Sequence, residues 1–173
     1  RHIDVDGQDA VDAGDGRVSI SARLSATRAS GKKPIVLLSH IDVVPVEREH
    51  WKVDPFSGTV ADGIIWGRGT LDMKGMAVME LLAMAMLKRQ GIELDRDIVF
   101  VAVADEEEGG HKGIHHLRRT RPDLLQADYV FNEGAYGFSQ FLGKKVTMFG
   151  LGPSEKSPCW VKLVTRGRPG HGS

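Results

Sequence analysis

The sequence has a single cysteine, Cys159, among 173 residues. No internal disulfide can form, and nothing calls for an oxidising compartment. It has no surplus of either charge: Lys plus Arg and Asp plus Glu both number 23. A balanced chain offers no electrostatic footprint for nucleic acid or for an anionic membrane. No apolar run reaches the roughly 18 residues needed to span a bilayer. No secretory leader is read at the start, so a cytoplasmic location is the expectation. The chain opens on Arg1 without an initiator Met and closes on Ser173 after a Gly-rich turn, so both ends read as cut. There is no internal repeat and no low-complexity tract. Hydrophobic residues make up 41% of the chain, enough for a real core.

Residues 1–16 are polar, rich in Asp and Gly, and read as a loop. Residues 17–27 alternate, with Val18, Ile20, Ala22 and Leu24 on one face and serines and Arg23 on the other, which predicts a half-exposed strand. Residues 35–38 are continuously apolar, as in a strand buried on both faces. Residues 58–68 predict a short hairpin turning at Asp62-Gly63. A long helix follows over about 73–90, apolar around most of its circumference and therefore expected to be largely buried. Residues 97–104 form a second fully apolar strand, 110–119 a helix ended before Pro122, and 127–131 a third strand. This alternation is the signature of an α/β fold with parallel neighbours in the sheet. Strands at 146–150 and 160–165 follow, the latter opening a different, more antiparallel layer. The expected organisation is a catalytic domain over 1–157 and the start of a second domain over 158–173, with the boundary near Pro158.

Ligands of open α/β sheets gather at the carboxyl ends of strands. His40 ends the first buried strand, Asp105-Glu106-Glu107 the second, and Glu133 follows the third. Carboxylates brought together repel unless a cation lies among them. Asp42 stands two residues from His40, so an extended backbone points both side chains to one face. A ligating His commonly gives its other N–H to a carboxylate. Asp72 follows Gly-Arg-Gly-Thr at the start of the long helix. It reads there either as a ligand favoured by the helix dipole or as an ordinary N-cap. Glu106 and Glu107 are adjacent and diverge, so one can bind metal while the other serves as a general base. His115 and His116 read as helix-surface residues.

Taken in order, HIDVVP, W-x-x-D-P-F, GRGTLDMKG, DEEEGG and NEG resemble the di-zinc aminoacylase and carboxypeptidase family. That family includes acetylornithine deacetylase, succinyl-diaminopimelate desuccinylase and aminoacylases. The likeness covers roughly residues 17–173. It implies a zinc-peptidase-like α/β catalytic domain, its mostly parallel central sheet flanked by helices on both faces, plus the first strand of an α+β lid and dimerisation domain. It implies two Zn2+ ions, with Co2+ or Mn2+ as alternatives. His40 and Glu133 would bind one ion, Glu107 the other, and Asp72 both, with the Asp72–Met73 peptide expected cis. Asp42 would orient His40, and Glu106 would be the general base and acid. The Gly-Arg-Pro-Gly-His-Gly-Ser ending makes His171 the candidate for polarising the scissile carbonyl. The family's last His ligand lies beyond residue 173. The chain is therefore read as the N-terminal part of a longer enzyme, inactive by itself and homodimeric through its lid when complete.

The expected reaction is hydrolysis of an amide bond in a small N-acyl amino acid or peptide. The alternative is a binding or regulatory relative that keeps the site without hydrolysis, against which an intact Glu106 argues. Phosphoryl chemistry on one Mg2+ or Mn2+ is disfavoured, because an imidazole ligand suits zinc better and no Gly-Lys-Ser/Thr phosphate loop is present.

Overall fold

The computed structural model of the chain describes residues 5–134, 136–154, 159–168 and 170. Pro158 and His171, singled out from the sequence, lie outside them. The chain divides into two compact units, Arg1–Glu133 and Gly134–Ser173.

The first unit is built on a five-stranded sheet. Its strands are β1 (Gly7–Asp12), β2 (Val18–Leu24), β3 (Ile35–His40), β6 (Ile98–Val103) and β7 (Tyr129–Phe131). They lie in the order β1-β2-β6-β3-β7. The β1–β2 and β2–β6 pairs are antiparallel, whereas β6–β3 and β3–β7 are parallel. The sheet is thus mixed rather than mostly parallel. Both antiparallel pairs are made by β2, and beyond it lies β1, which the polar 1–16 stretch concealed. It borders the sheet through backbone hydrogen bonds and needs no apolar pattern for that. The side hairpin, β4 (Thr59–Ala61) and β5 (Ile64–Trp66), turns at Asp62 and Gly63, both at positive φ (52° and 74°). Such a two-residue turn matches the strand twist.

All six residues of β6 are buried, because each face meets its own cluster. Ile98, Phe100 and Ala102 pack with Leu24 and with Ala77 and Met84 of helix α1 (Gly75–Arg89). Val99, Val101 and Val103 pack with Val36, Leu117 of helix α2 (Ile114–Thr120) and Leu124. α1 is not largely buried, since only one side of it meets the sheet. Val78, Met79, Leu82 and Met86 are exposed. β2 also differs from expectation. Its serines Ser19 and Ser21 are buried, while on the apolar face Leu24 is buried and Ile20 is exposed. Ser19 repays burial by accepting the Ala104 amide at 3.2 Å, as a buried hydroxyl must find a partner.

The second unit holds the hairpin of β8 (Gly137–Phe141) and β9 (Lys144–Phe149). Residues 160–165, expected to be a strand, are exposed and unpaired among the described residues. Alternation without a neighbouring strand leaves the backbone groups to water, and no ladder forms.

Candidate metal centre

His40 is the last residue of β3 and only 2% exposed. Its backbone N–H donates to Met73 Sδ at 3.2 Å. Its Nδ1 lies 3.1 Å from the Asp42 carbonyl oxygen and 3.5 Å from Asp42 Oδ1. An Nδ1–H donating there leaves the Nε2 lone pair free for a cation. Nε2 faces Asp72 Oδ1 at 2.9 Å and Glu133 Oε1 at 3.5 Å.

Asp72 reaches this point from Thr70–Lys74, a wide turn that precedes α1. The Asp72–Met73 peptide is cis, and neither residue has helical φ/ψ. Asp72 therefore does not cap α1, whose N-cap position is Lys74 without a side-chain cap. Lys74 Nζ instead donates to the Ile41 carbonyl at 2.7 Å, fastening the turn to the end of β3.

The turn after β6 is fastened twice. Asp42 Oδ1 accepts the Glu106 amide at 3.1 Å and Oδ2 the Glu107 amide at 3.0 Å. Asp105, 4% exposed and at positive φ (71°), pairs with Arg17 at 2.5 Å and accepts the Lys112 amide at 2.9 Å. Arg17 also meets Glu108 at 2.8 Å. Sequence reasoning missed Arg17, Met73 and Lys74 as supports. A basic residue before an exposed-looking strand and a Met-Lys pair opening a helix carry no signal without contacts.

The ligand atoms of His40, Asp72 and Glu133 lie within 4.8 Å of one another. Glu107 stands outside this group and lines, with Arg17, Asp42 and Pro45, a cavity of about 250 Å³. Burial opposes protonation of His40. The hydrogen bond to Asp72 and the charges of Glu133, Glu106 and Asp42 outweigh it and hold the imidazole above its ordinary value. Burial raises Glu106. His40 opposes that rise, while Glu107, Asp42 and Asp72 add to it. Glu133 is likewise raised by burial and by Asp72 and Glu106, against His40. Carboxylates that repel one another around one imidazole are relieved by a divalent cation. One nitrogen with carboxylate oxygens is a donor set that zinc accepts. Three further residues, Glu47, Glu49 and His50, are also mutually close, but all are exposed.

Residues 36–139 match the profile of peptidase family M20/M25/M40. Aminoacylase-1 of Sus scrofa is 42% identical over 141 residues, which make up 80% of this chain and 33% of that protein. The N-fatty-acyl-amino acid synthase/hydrolase PM20D1 of Xenopus tropicalis is 35% identical over 144 residues, covering 81% of this chain and 28% of that protein. The chain thus spans about a third of the length of the curated relatives it matches. Among solved structures, an M20 family metallo-carboxypeptidase from Sulfolobus solfataricus superposes with a TM-score of 0.57 at 30% identity. That match covers 72% of this chain and 28% of the other.

Proposed function

The chain belongs to peptidase family M20/M25/M40, and on that premise we propose that it carries most of the active site of a metal-dependent hydrolase cleaving the amide bond of N-acyl amino acids. The observation that carries this reading is the convergence of His40, Asp72 and Glu133 on one point. Aminoacylase-1 as a relative favours N-acyl amino acids over longer peptides.

His40, Asp72 and Glu133 would hold one zinc ion, and Asp72 with Glu107 a second. Bound there, the metal supplies Lewis-acid activation of water and of the substrate carbonyl. Asp42 keeps the His40 ring turned with Nε2 toward the site, supported by the 3.1 Å contact at Nδ1. Glu106 takes a proton from the attacking water and returns it to the departing amine nitrogen. Its raised proton affinity suits a group that must both accept and release at neutral pH. His171 would steady the carbonyl oxygen, and the complete protein would pair through its lid.

The test uses the intact protein on a panel of N-acetyl amino acids, comparing wild type with Glu106→Gln. The variant should keep its metal content and lose turnover by about 10²–10⁴-fold, the range of general-base contributions. Undiminished turnover in the variant removes Glu106 from the role. A wild-type protein inert on the whole panel removes the substrate class.

A further inference from the structure

Glu80 is a buried carboxyl that the reaction does not use. It sits on α1 and is 8% exposed. Its Oε2 accepts the hydroxyl hydrogen of Ser39, while Oε1 is buried without a hydrogen-bond partner among the described residues. Ser39 is itself 1% exposed and immediately precedes His40 in β3. Helical side chains lean toward the helix N-terminus, so the carboxyl of Glu80 reaches back along α1 toward the end that carries Asp72.

The rest of the α1–sheet contact is apolar: Ala77, Met84 and Leu81 lie against Phe100, Ala102 and Leu37. Dispersion and hydrophobic contacts do not depend on direction, so they favour docking without fixing how far the helix slides along the strand. Hydrogen bonds do fix it. Met73 to the His40 amide and Lys74 to the Ile41 carbonyl act at the helix start. Ser39–Glu80 is the buried side-chain pair that acts further down the helix. Burying a carboxyl with one oxygen unpartnered is costly, and an apolar residue would pack there without that cost. The pair therefore serves something other than stability.

We propose that Glu80 is a positioning residue for the metal centre: through Ser39 it sets the register of α1 on β3, and so the separation of His40 from Asp72. The inference rests on the reading that His40 and Asp72 hold a cation. Outer partners of metal ligands are worth roughly 10–100-fold in metal affinity, and Glu80 acts one residue removed from a ligand.

The experiment measures the zinc dissociation constant of the intact protein by chelator competition, with the melting temperature of each metal-free form. The variants are Glu80→Gln, Glu80→Leu and Ser39→Ala. Leu and Ala should weaken zinc binding by about tenfold, and Gln, which still offers Ser39 an oxygen, should bind nearly as wild type. Leu and Ala variants that bind zinc as tightly as wild type overturn the proposal, even if their melting temperatures fall, because that pattern marks a structural role only. If Glu80→Leu does not fold, Ser39→Ala decides. A wild-type protein that binds no zinc removes the metal-centre reading itself, whereas wild-type binding with unaffected variants removes only the positioning role.

Discussion

Asp42 accepts two consecutive backbone amides, Glu106 on one carboxylate oxygen and Glu107 on the other, at 3.1 and 3.0 Å. One side chain after β3 thereby sets the height of the turn after β6. Replacing it by Asn leaves one amide facing an NH2 group. Asp42→Asn should lower the unfolding free energy by about 1–2 kcal/mol, the scale of a charge-assisted hydrogen bond at a partly exposed site. A urea denaturation curve that superposes on wild type would show the clamp to be idle.

Arg17 and Asp105 form a pair of unequal burial, with side chains 34% and 5% exposed. Arg17→Met strands a buried carboxylate that, among the described residues, retains the Lys112 amide. The expected loss is about 2 kcal/mol, below the range for fully buried pairs because Arg17 is itself a third exposed. The double variant Arg17→Met/Asp105→Asn should recover part of it, since the stranded charge is gone. Equal losses in single and double variants would contradict this account.

Glu80 makes stability depend on pH in a defined direction. Burial raises its proton affinity and the Ser39 hydrogen bond only partly opposes this. The folded protein thus holds a proton that the unfolded chain gives up. The contribution is complete below the ordinary glutamate value and is lost as pH rises through the folded value. Glu80→Gln has no such dependence. Its stability relative to wild type should be least favourable in acid, rise above the ordinary glutamate range, and then level off. Denaturant midpoints of both proteins across pH 4–8 check the sign. A stability of the variant relative to wild type that falls with rising pH would reverse it.

Gly113 leaves no room for a methyl group, since a Cβ there would stand 1.7 Å from the Ala104 carbonyl oxygen. The clash is with backbone at the end of β6 and has no flexible side chain to yield. Gly113→Ala should cost more than about 3 kcal/mol or prevent folding. Gly143→Ala, with nothing within 4 Å but a positive φ of 78°, should cost only about 1 kcal/mol. Soluble yield and melting temperature of the two variants separate crowding from backbone strain.

Zinc should stabilise the intact protein by mass action, about 2.7 kcal/mol at a free concentration a hundred times the dissociation constant. Asp72→Ala removes one of the three converging groups and should erase most of that gain. Zinc-dependent melting that survives the substitution would move the ion elsewhere.

Much of this was legible in the sequence because its signals are strong and local. The apolar run ending at Val103 fits a strand buried on both faces, and Asp62-Gly63 between short β-prone segments fits a tight hairpin. His40, Asp72 and Glu133 were legible as strand-end and helix-start residues of a familiar motif order, and the structure brings them together. β1 was invisible because an edge strand is held by backbone hydrogen bonds. β8 was missed although Phe138 and Phe141 precede a Leu142-Gly143 turn at positive φ. Ser19 and Ser21 are buried against their polarity: Ser21 pairs with Val101, whose cluster with Leu117 and Leu124 the alternation could not reveal. The supports Arg17, Met73, Lys74 and Glu80 depend on contacts between distant segments, which no local pattern encodes.

The groups proposed as metal ligands follow strands of very different security. β6 is paired on both sides and shielded on both faces, so its amides should exchange with deuterium only when the whole unit opens. β7 is three residues long, at the end of the strand order, with its side chains exposed. Local opening follows such differences in protection. Glu133, two residues past β7, will therefore let go before the Glu106–Glu107 turn does, and the centre will come apart from one side.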